Sequence, residues 1–170
     1  MEETATEWAT PKDWNSNFNV NDNGGIQYPS KHGDPSESTL SFVKWGKKNE
    51  NGKLWQAATL PAGEYKAKLN IYEVGTSGGR FKVWFIVSKG STLSDIPDLG
   101  TPEAWNTTLP ESVIASYDVT SKKITASEAY EQEIPFSLTG NQNNVIFAFV
   151  TQLGNKSWVK VTALHVELVK

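Results

Sequence analysis

The sequence predicts an all-β protein, an antiparallel β-sandwich of about eight strands, and three observations carry that expectation. Runs of β-branched and aromatic residues recur from Thr39 to Val169. Turn-forming stretches such as Pro61-Ala62-Gly63 and Gly75-Thr76-Ser77-Gly78-Gly79 separate them. Helical periodicity is confined to Ser127–Gln132, too short for a helix to stand alone.

The first 38 residues are rich in Asn, Asp, Ser, Gly and Pro, with Trp8, Trp14, Phe18, Ile26 and Tyr28 at no regular period. They read as an ordered but irregular lead-in with one short strand near Ile26–Tyr28, packed on a sandwich formed by residues 39–170. A chain of 170 residues suits one domain with a real core.

Thr39–Trp45 is the first long strand, followed by a polar loop whose Asn51-Gly52 close suits a hairpin turn. Leu54–Leu60 comes next. Glu64–Val74 alternates, with Tyr65, Ala67, Leu69 and Ile71 on one face and Lys66, Lys68, Asn70 and Tyr72 on the other, so one face is wet. Phe81–Val87 is apolar on both faces, as a central strand would be, and the Gly75–Gly79 loop reads as a hairpin joining these two. Ser91–Pro110 carries Pro97, Gly100, Pro102 and Pro110, too many interruptions for a helix, and reads as a connection crossing between sheets.

Ser112–Val119, Glu133–Leu138 and Asn144–Leu153 supply three further strands, and Pro135 places the middle one at an edge or a bulge. In the last strand, Ser157–Val169, the apolar phase changes between Val159 and Val161 on one side and Leu164, Val166 and Leu168 on the other. A bulge near Ala163 accounts for the change.

Composition narrows the function. At 38% hydrophobic and 21% charged residues, with seven Trp, seven Phe and five Tyr, the chain folds. A net charge of -3 without a basic block excludes nucleic acid as a partner. No run approaches the ~20 apolar residues of a membrane span, so this segment does not insert into a membrane. Met1-Glu2-Glu3-Thr4 lacks the features of a signal peptide, and the chain reads as a mature fragment whose signal and upstream domains lie elsewhere. With no cysteine there are no disulfides, thiolate zinc sites or cysteine nucleophiles.

Three stretches carry a family resemblance: Leu60-Pro61-Ala62-Gly63-Glu64-Tyr65; the Lys-Gly-x-x-Leu-x-Asp element Lys89-Gly90-Ser91-Thr92-Leu93-Ser94-Asp95 at the end of Phe85–Ser88; and Phe147–Leu153 with Trp158-Val159-Lys160-Val161. Over residues 38–170 the chain resembles an uncharacterised domain family of gut Bacteroidetes surface lipoproteins with a galactose-binding-like jelly roll. The resemblance implies that fold, an outer-membrane surface or periplasmic location as part of an exported lipoprotein, a glycan-facing role beside glycan-uptake machinery, and contacts with other domains of the same lipoprotein. It assigns no site residues.

Sugar recognition by sandwich modules needs flat aromatic rings against the apolar face of a pyranose, with amides and carboxylates meeting the hydroxyls. Trp14, Tyr28, Trp45 and Trp105 fall in loops or at strand ends, and Asn106 adjoins the last of them. These five are the candidate ligand-binding residues; the alternative for each ring is a plug at an open end of the sandwich. Trp84 reads as core, Trp158 as a packing ring, and Trp55 as either a core plug or an exposed face ring. Asn19, Asn21 and Asn23, followed by Gly24-Gly25, form a weak calcium candidate, for which an Asn-rich turn is the simpler reading; no other cofactor is implied. His165 and Glu167 share one side of the last strand and read as a solvated face.

No same-face carboxylate pair sits in a strand, and no nucleophile elbow or phosphate loop is present. The expected function is therefore a noncatalytic carbohydrate-binding module of a cell-surface glycan-utilisation lipoprotein. The alternative is a structural spacer or protein-interaction domain of such a lipoprotein.

Overall fold

The computed structural model describes residues 11–18, 24–27, 39–44, 50–101, 104–106 and 108–169. Ten strands form among them: β1 (Asn15–Ser16), β2 (Gly24–Gln27), β3 (Leu40–Lys44), β4 (Glu50–Leu60), β5 (Gly63–Thr76), β6 (Lys82–Lys89), β7 (Val113–Asp118), β8 (Tyr130–Leu138), β9 (Asn143–Leu153) and β10 (Ser157–Leu168). They make two five-stranded antiparallel sheets, a front sheet in the order β1-β4-β9-β6-β7 and a back sheet in the order β2-β3-β10-β5-β8. The expected sandwich is present, with β3 to β10 close to the eight anticipated strands and β1 added in the lead-in. Helical backbone among the described residues is limited to three short 3-10 turns, so none of it is long and apolar enough to cross a membrane.

Period-two alternation puts one face of each strand between the sheets. Phe42, Phe85 and Phe149 meet there with ring centroids 5.2 and 5.3 Å apart. Leu54, Leu69, Ile71 and Val83 are fully buried around them. At about 1.5–3 kcal/mol for each large apolar side chain removed from water, this layer dominates stability.

A second apolar cluster lies on the outside of the front sheet. Trp84, Ile86, Ile146, Ala148 and Val150 point outward from β6 and β9 and are covered by Ile96 and Leu99. This is why β6 is apolar on both faces. It also corrects the expectation that Ser91–Pro110 crosses between sheets: β7 returns beside β6 in the same sheet, and the connection folds back as a strap over that sheet's outer face.

Two expected hairpins are not hairpins. The Gly75–Gly79 loop leads from β5 in the back sheet to β6 in the front sheet, and β3 and β4 likewise lie in different sheets. Asn51-Gly52 is part of β4, paired with Gln152 and Thr151. The ring of Phe18 occupies the space a Cβ on Gly52 would need, which explains a glycine in a strand interior.

Two further expectations are met. β8, which carries Pro135, is an edge strand. β10 slips register against β5 between Lys160 and Ala163, leaving Thr162 without a partner in that ladder, and β5 skips Tyr72 opposite, so the two irregularities cancel. Ser127–Gln132 divides between a 3-10 turn at Ala126–Glu128 and the start of β8.

On the back sheet's outer face, cross-strand ion pairs join Lys66 to Glu133 (2.8 Å), Lys68 to Glu167 (2.8 Å) and Lys160 to Glu73 (3.2 Å). The Lys66 ammonium beside Glu133 holds that carboxyl below its ordinary value, and the hydrogen bond to Glu167 raises Lys68. Glu167 thus has its partner in this lattice, and His165 is exposed on the same face.

Candidate functional site

The strap begins at the element Lys89–Asp95. The Asp95 carboxylate accepts hydrogen bonds from the backbone N–H of Ser91 (2.9 Å) and Thr92 (3.0 Å) and from the Thr92 hydroxyl (3.0 Å). These donors hold its carboxyl below the ordinary range. The element is therefore a capping turn, and the spacing of its glycine and aspartate serves the backbone.

Beyond it the strap is pinned to the sheet by polar side chains. Lys53 donates to the Ile96 carbonyl (2.7 Å) and pairs with the exposed carboxylate of Asp98 (2.8 Å). The Asn106 side chain donates to the Asp98 carbonyl (2.8 Å), and its backbone N–H donates to the Leu99 carbonyl (2.7 Å). Gln152 is 3% exposed and serves two partners: its amide NH2 donates to the Gly100 carbonyl (3.2 Å), and its carbonyl accepts from the Trp105 indole N–H (2.7 Å). Gly100 takes a φ of +87°, and a Cβ there would stand 2.7 Å from the Ala104 carbonyl.

Register aligns these groups. Asn51 on β4 pairs with Gln152 on β9, which pairs with Lys82 on β6. Two strand spacings separate the ends of this row, about 10 Å. Trp105, half-buried, sits at its middle through Gln152. The Lys82 ammonium lies 4.9 Å from the Trp105 ring centroid, 5.0 Å from that of Trp84 and 3.3 Å from the Asp118 carboxylate. The Arg80 guanidinium lies 5.2 Å from the Trp105 centroid.

At the β4 end of the row a cleft of about 80 Å³ is lined by Asn17, Asn51, Lys53, Asp98 and Gly100, among others. The Lys53 backbone N–H donates to the Asn17 side-chain carbonyl at 2.7 Å, which leaves the Asn17 amide NH2 available to donate. Amide donors, an exposed carboxylate and an ammonium thus converge beside a half-buried indole. That mixture suits a ligand with many hydroxyl groups and an apolar ring face.

Of the five sequence-derived site residues, Trp105 and Asn106 meet on the strap. Trp14 does not join them. Its ring is 6.2 Å from Phe149, which points between the sheets, whereas Trp105 contacts Gln152, three residues on and on the opposite face of β9. Tyr28 and Trp45 lie outside the described residues, as do Asn19, Asn21 and Asn23. Among the described residues no three His, Asp or Glu side chains gather to hold a metal.

Trp14 lies at an open side of the sandwich. Cavities of about 410 and 400 Å³ adjoin it, both also lined by Leu164. Among the described residues β3 pairs with β10 only through Ser157–Val161, and β1 pairs with β4 only at Leu54 and Trp55. Trp158 donates its indole N–H to Glu73 (3.1 Å) as a packing ring, and Trp55 is partly buried against the strap's apolar cluster.

Asn51, Lys53, Asp98 and Gln152 escaped the sequence reading. The available signal was Gln152, a polar side chain in the outward phase of Ile146, Ala148 and Val150.

Comparison with known proteins places the fold and the family. The carbohydrate-binding module TmCBM61, solved with β-1,4-galactotriose, superposes with a TM-score of 0.55 at 13% identity, over 93% of this chain and 90% of that one. The K1 cleaved adhesin domain of Lys-gingipain from Porphyromonas gingivalis W83 superposes with a TM-score of 0.54 at 12% identity, over 96% and 95%. A carbohydrate-binding module of the β-sandwich superfamily, described for promiscuous specificity, gives 0.50 at 10% identity over 91% of this chain and 57% of that one. These likenesses establish a shared sandwich fold. No curated protein matches the sequence. Residues 1–143 match the family described as a domain of unknown function, DUF5013, and the chain belongs to that family.

Proposed function

We propose that this chain is a noncatalytic carbohydrate-binding module whose glycan lies along the strap end of the front sheet. The observation that carries the reading is the convergence of Asn17, Asn51, Lys53 and Asp98 on one cleft beside the half-buried Trp105. The sandwich likeness to carbohydrate-binding modules supports it as fold analogy. Binding is favoured over hydrolysis because, among the described residues, one carboxylate lines the cleft, Asp98, already paired with Lys53, whereas glycoside hydrolysis uses two.

Affinity electrophoresis through gels containing plant and host polysaccharides tests this. At least one polysaccharide should retard the wild-type chain. Trp105→Ala and Asp98→Ala should each weaken that retention by about tenfold. Retention unchanged in both variants would remove this site.

A second reading, a spacer or protein-contact domain, draws on the cleft at Trp14, where Val166 (37% exposed) leaves apolar surface open. Under that reading no polysaccharide retards the chain. We also read the chain as part of an exported lipoprotein at the outer-membrane surface, on the strength of the resemblance in residues 38–170. Protease treatment of intact cells carrying the full-length protein should then cleave it.

A further inference from the structure

We infer that the glycan taken by this site carries a carboxylate, as in a uronic acid unit, and that Arg80 is the group that reads it; this rests on the carbohydrate-binding reading above. Arg80 is the only arginine in the chain. It is exposed, and its guanidinium carbon lies over the Trp105 ring, 5.2 Å from the centroid. Among the described residues no carboxylate pairs with it.

The neighbouring cations differ. Lys82 is balanced by Asp118 and Lys53 by Asp98. The row from Asn51 through Gln152 to Lys82 therefore runs from a cleft whose ion pair is internally neutralised to a corner where, among the described residues, one positive charge has no carboxylate partner, on a protein whose net charge is -3.

Arg80 is also held in place. It follows a loop in which the Ser77 N–H donates to the Lys156 carbonyl (2.9 Å), and the Thr76 hydroxyl donates to the Gly79 carbonyl (3.1 Å) while accepting from the Gly79 N–H (3.1 Å). Buried Phe81 follows it. A guanidinium held near an indole by its charge keeps its planar N–H donors as a fork, which matches the two oxygens of a planar carboxylate. A sulfate ester shares the charge with a tetrahedral shape, so the test separates the two.

The experiment is affinity electrophoresis of the wild-type chain, Arg80→Gln and Arg80→Lys in gels of polygalacturonate, its full methyl ester, a sulfated galactan and neutral β-1,4-galactan. Polygalacturonate should bind the wild type about tenfold more tightly than its methyl ester, which has the same backbone without the charge. Arg80→Gln should lose that difference, and Arg80→Lys should keep part of it. Equal retention by the free acid and the ester overturns the inference without relying on any variant. Retention by the sulfated galactan and not by polygalacturonate also overturns it. Neutral galactan retained equally by wild type and Arg80→Gln, with polygalacturonate bound no better, refutes the carboxylate while leaving glycan binding intact; no retention on any gel overturns both.

Discussion

Gln152 and Gly100 show how single residues set the strap in place. Gln152 is buried on an otherwise apolar outward row and uses both ends of its amide, one on Trp105 and one on Gly100. Removing it leaves a half-buried carbonyl and a half-buried indole N–H without these partners. Gly100 holds a backbone angle that costs other residues about 1–3 kcal/mol. Gly100→Ala should therefore loosen the strap, lower the melting temperature and weaken polysaccharide retention, whereas Trp14→Ala should leave retention unchanged; thermal melts and affinity gels check both. The inner core answers differently. Phe149 touches Phe42, Phe85 and Trp14, so Phe149→Ala should cost about 3–5 kcal/mol in a denaturant melt. At this scale the sequence was legible where a residue's role is its burial, as for Trp84. It was illegible where the role depends on a distant partner, as for Lys53 with Asp98.

Among the elements, the strap begins at a turn whose stability depends on acid. Ionised Asp95 caps the turn at its start, and its carboxyl is held below the ordinary value of 3.8 by the N–H groups of Ser91 and Thr92. A group depressed in the folded state lends its stability fully above the unfolded pKa, and that contribution is lost as the pH falls through the folded one. Amide exchange protection at Ser91 and Thr92 should hold at neutral pH and fall below about pH 4; Asp95→Ala, which removes the acceptor, should lack it at every pH. Strand positions were legible from alternation, and the bulge in β10 from its change of phase. The assignment of strands to sheets was not. Pro61-Ala62-Gly63 and Gly75–Gly79 have turn chemistry, but a turn that doubles a chain back within a sheet and one that carries it across to the other use the same residues. The strap was misplaced for a related reason: prolines exclude a helix, and they do not say which surface the segment covers.

For the whole molecule, the two late strands complete the fold. β9 lies between β4 and β6, and β10 between β3 and β5, so each sheet is joined through a strand from the last part of the chain. The family match ends at residue 143, where β9 begins. A chain ending there lacks Phe147, Phe149, Leu153, Val159 and Val161 from the core and should not fold, which far-UV circular dichroism and one-dimensional proton NMR would register. With the core complete, one outer face of the sandwich carries a lattice of ion pairs and the other carries the strap and its indole, and the account rests on that second face receiving the ligand. The most direct measurement is a titration of the 15N-labelled chain with trigalacturonate and, separately, with β-1,4-galactotriose, followed by two-dimensional NMR. With ligand on the strap face, shifts should gather at the Trp105 indole N–H and at Asn51, Asp98 and Gln152. Shifts gathered instead at Trp14 and Leu164, or none with either sugar, would contradict it.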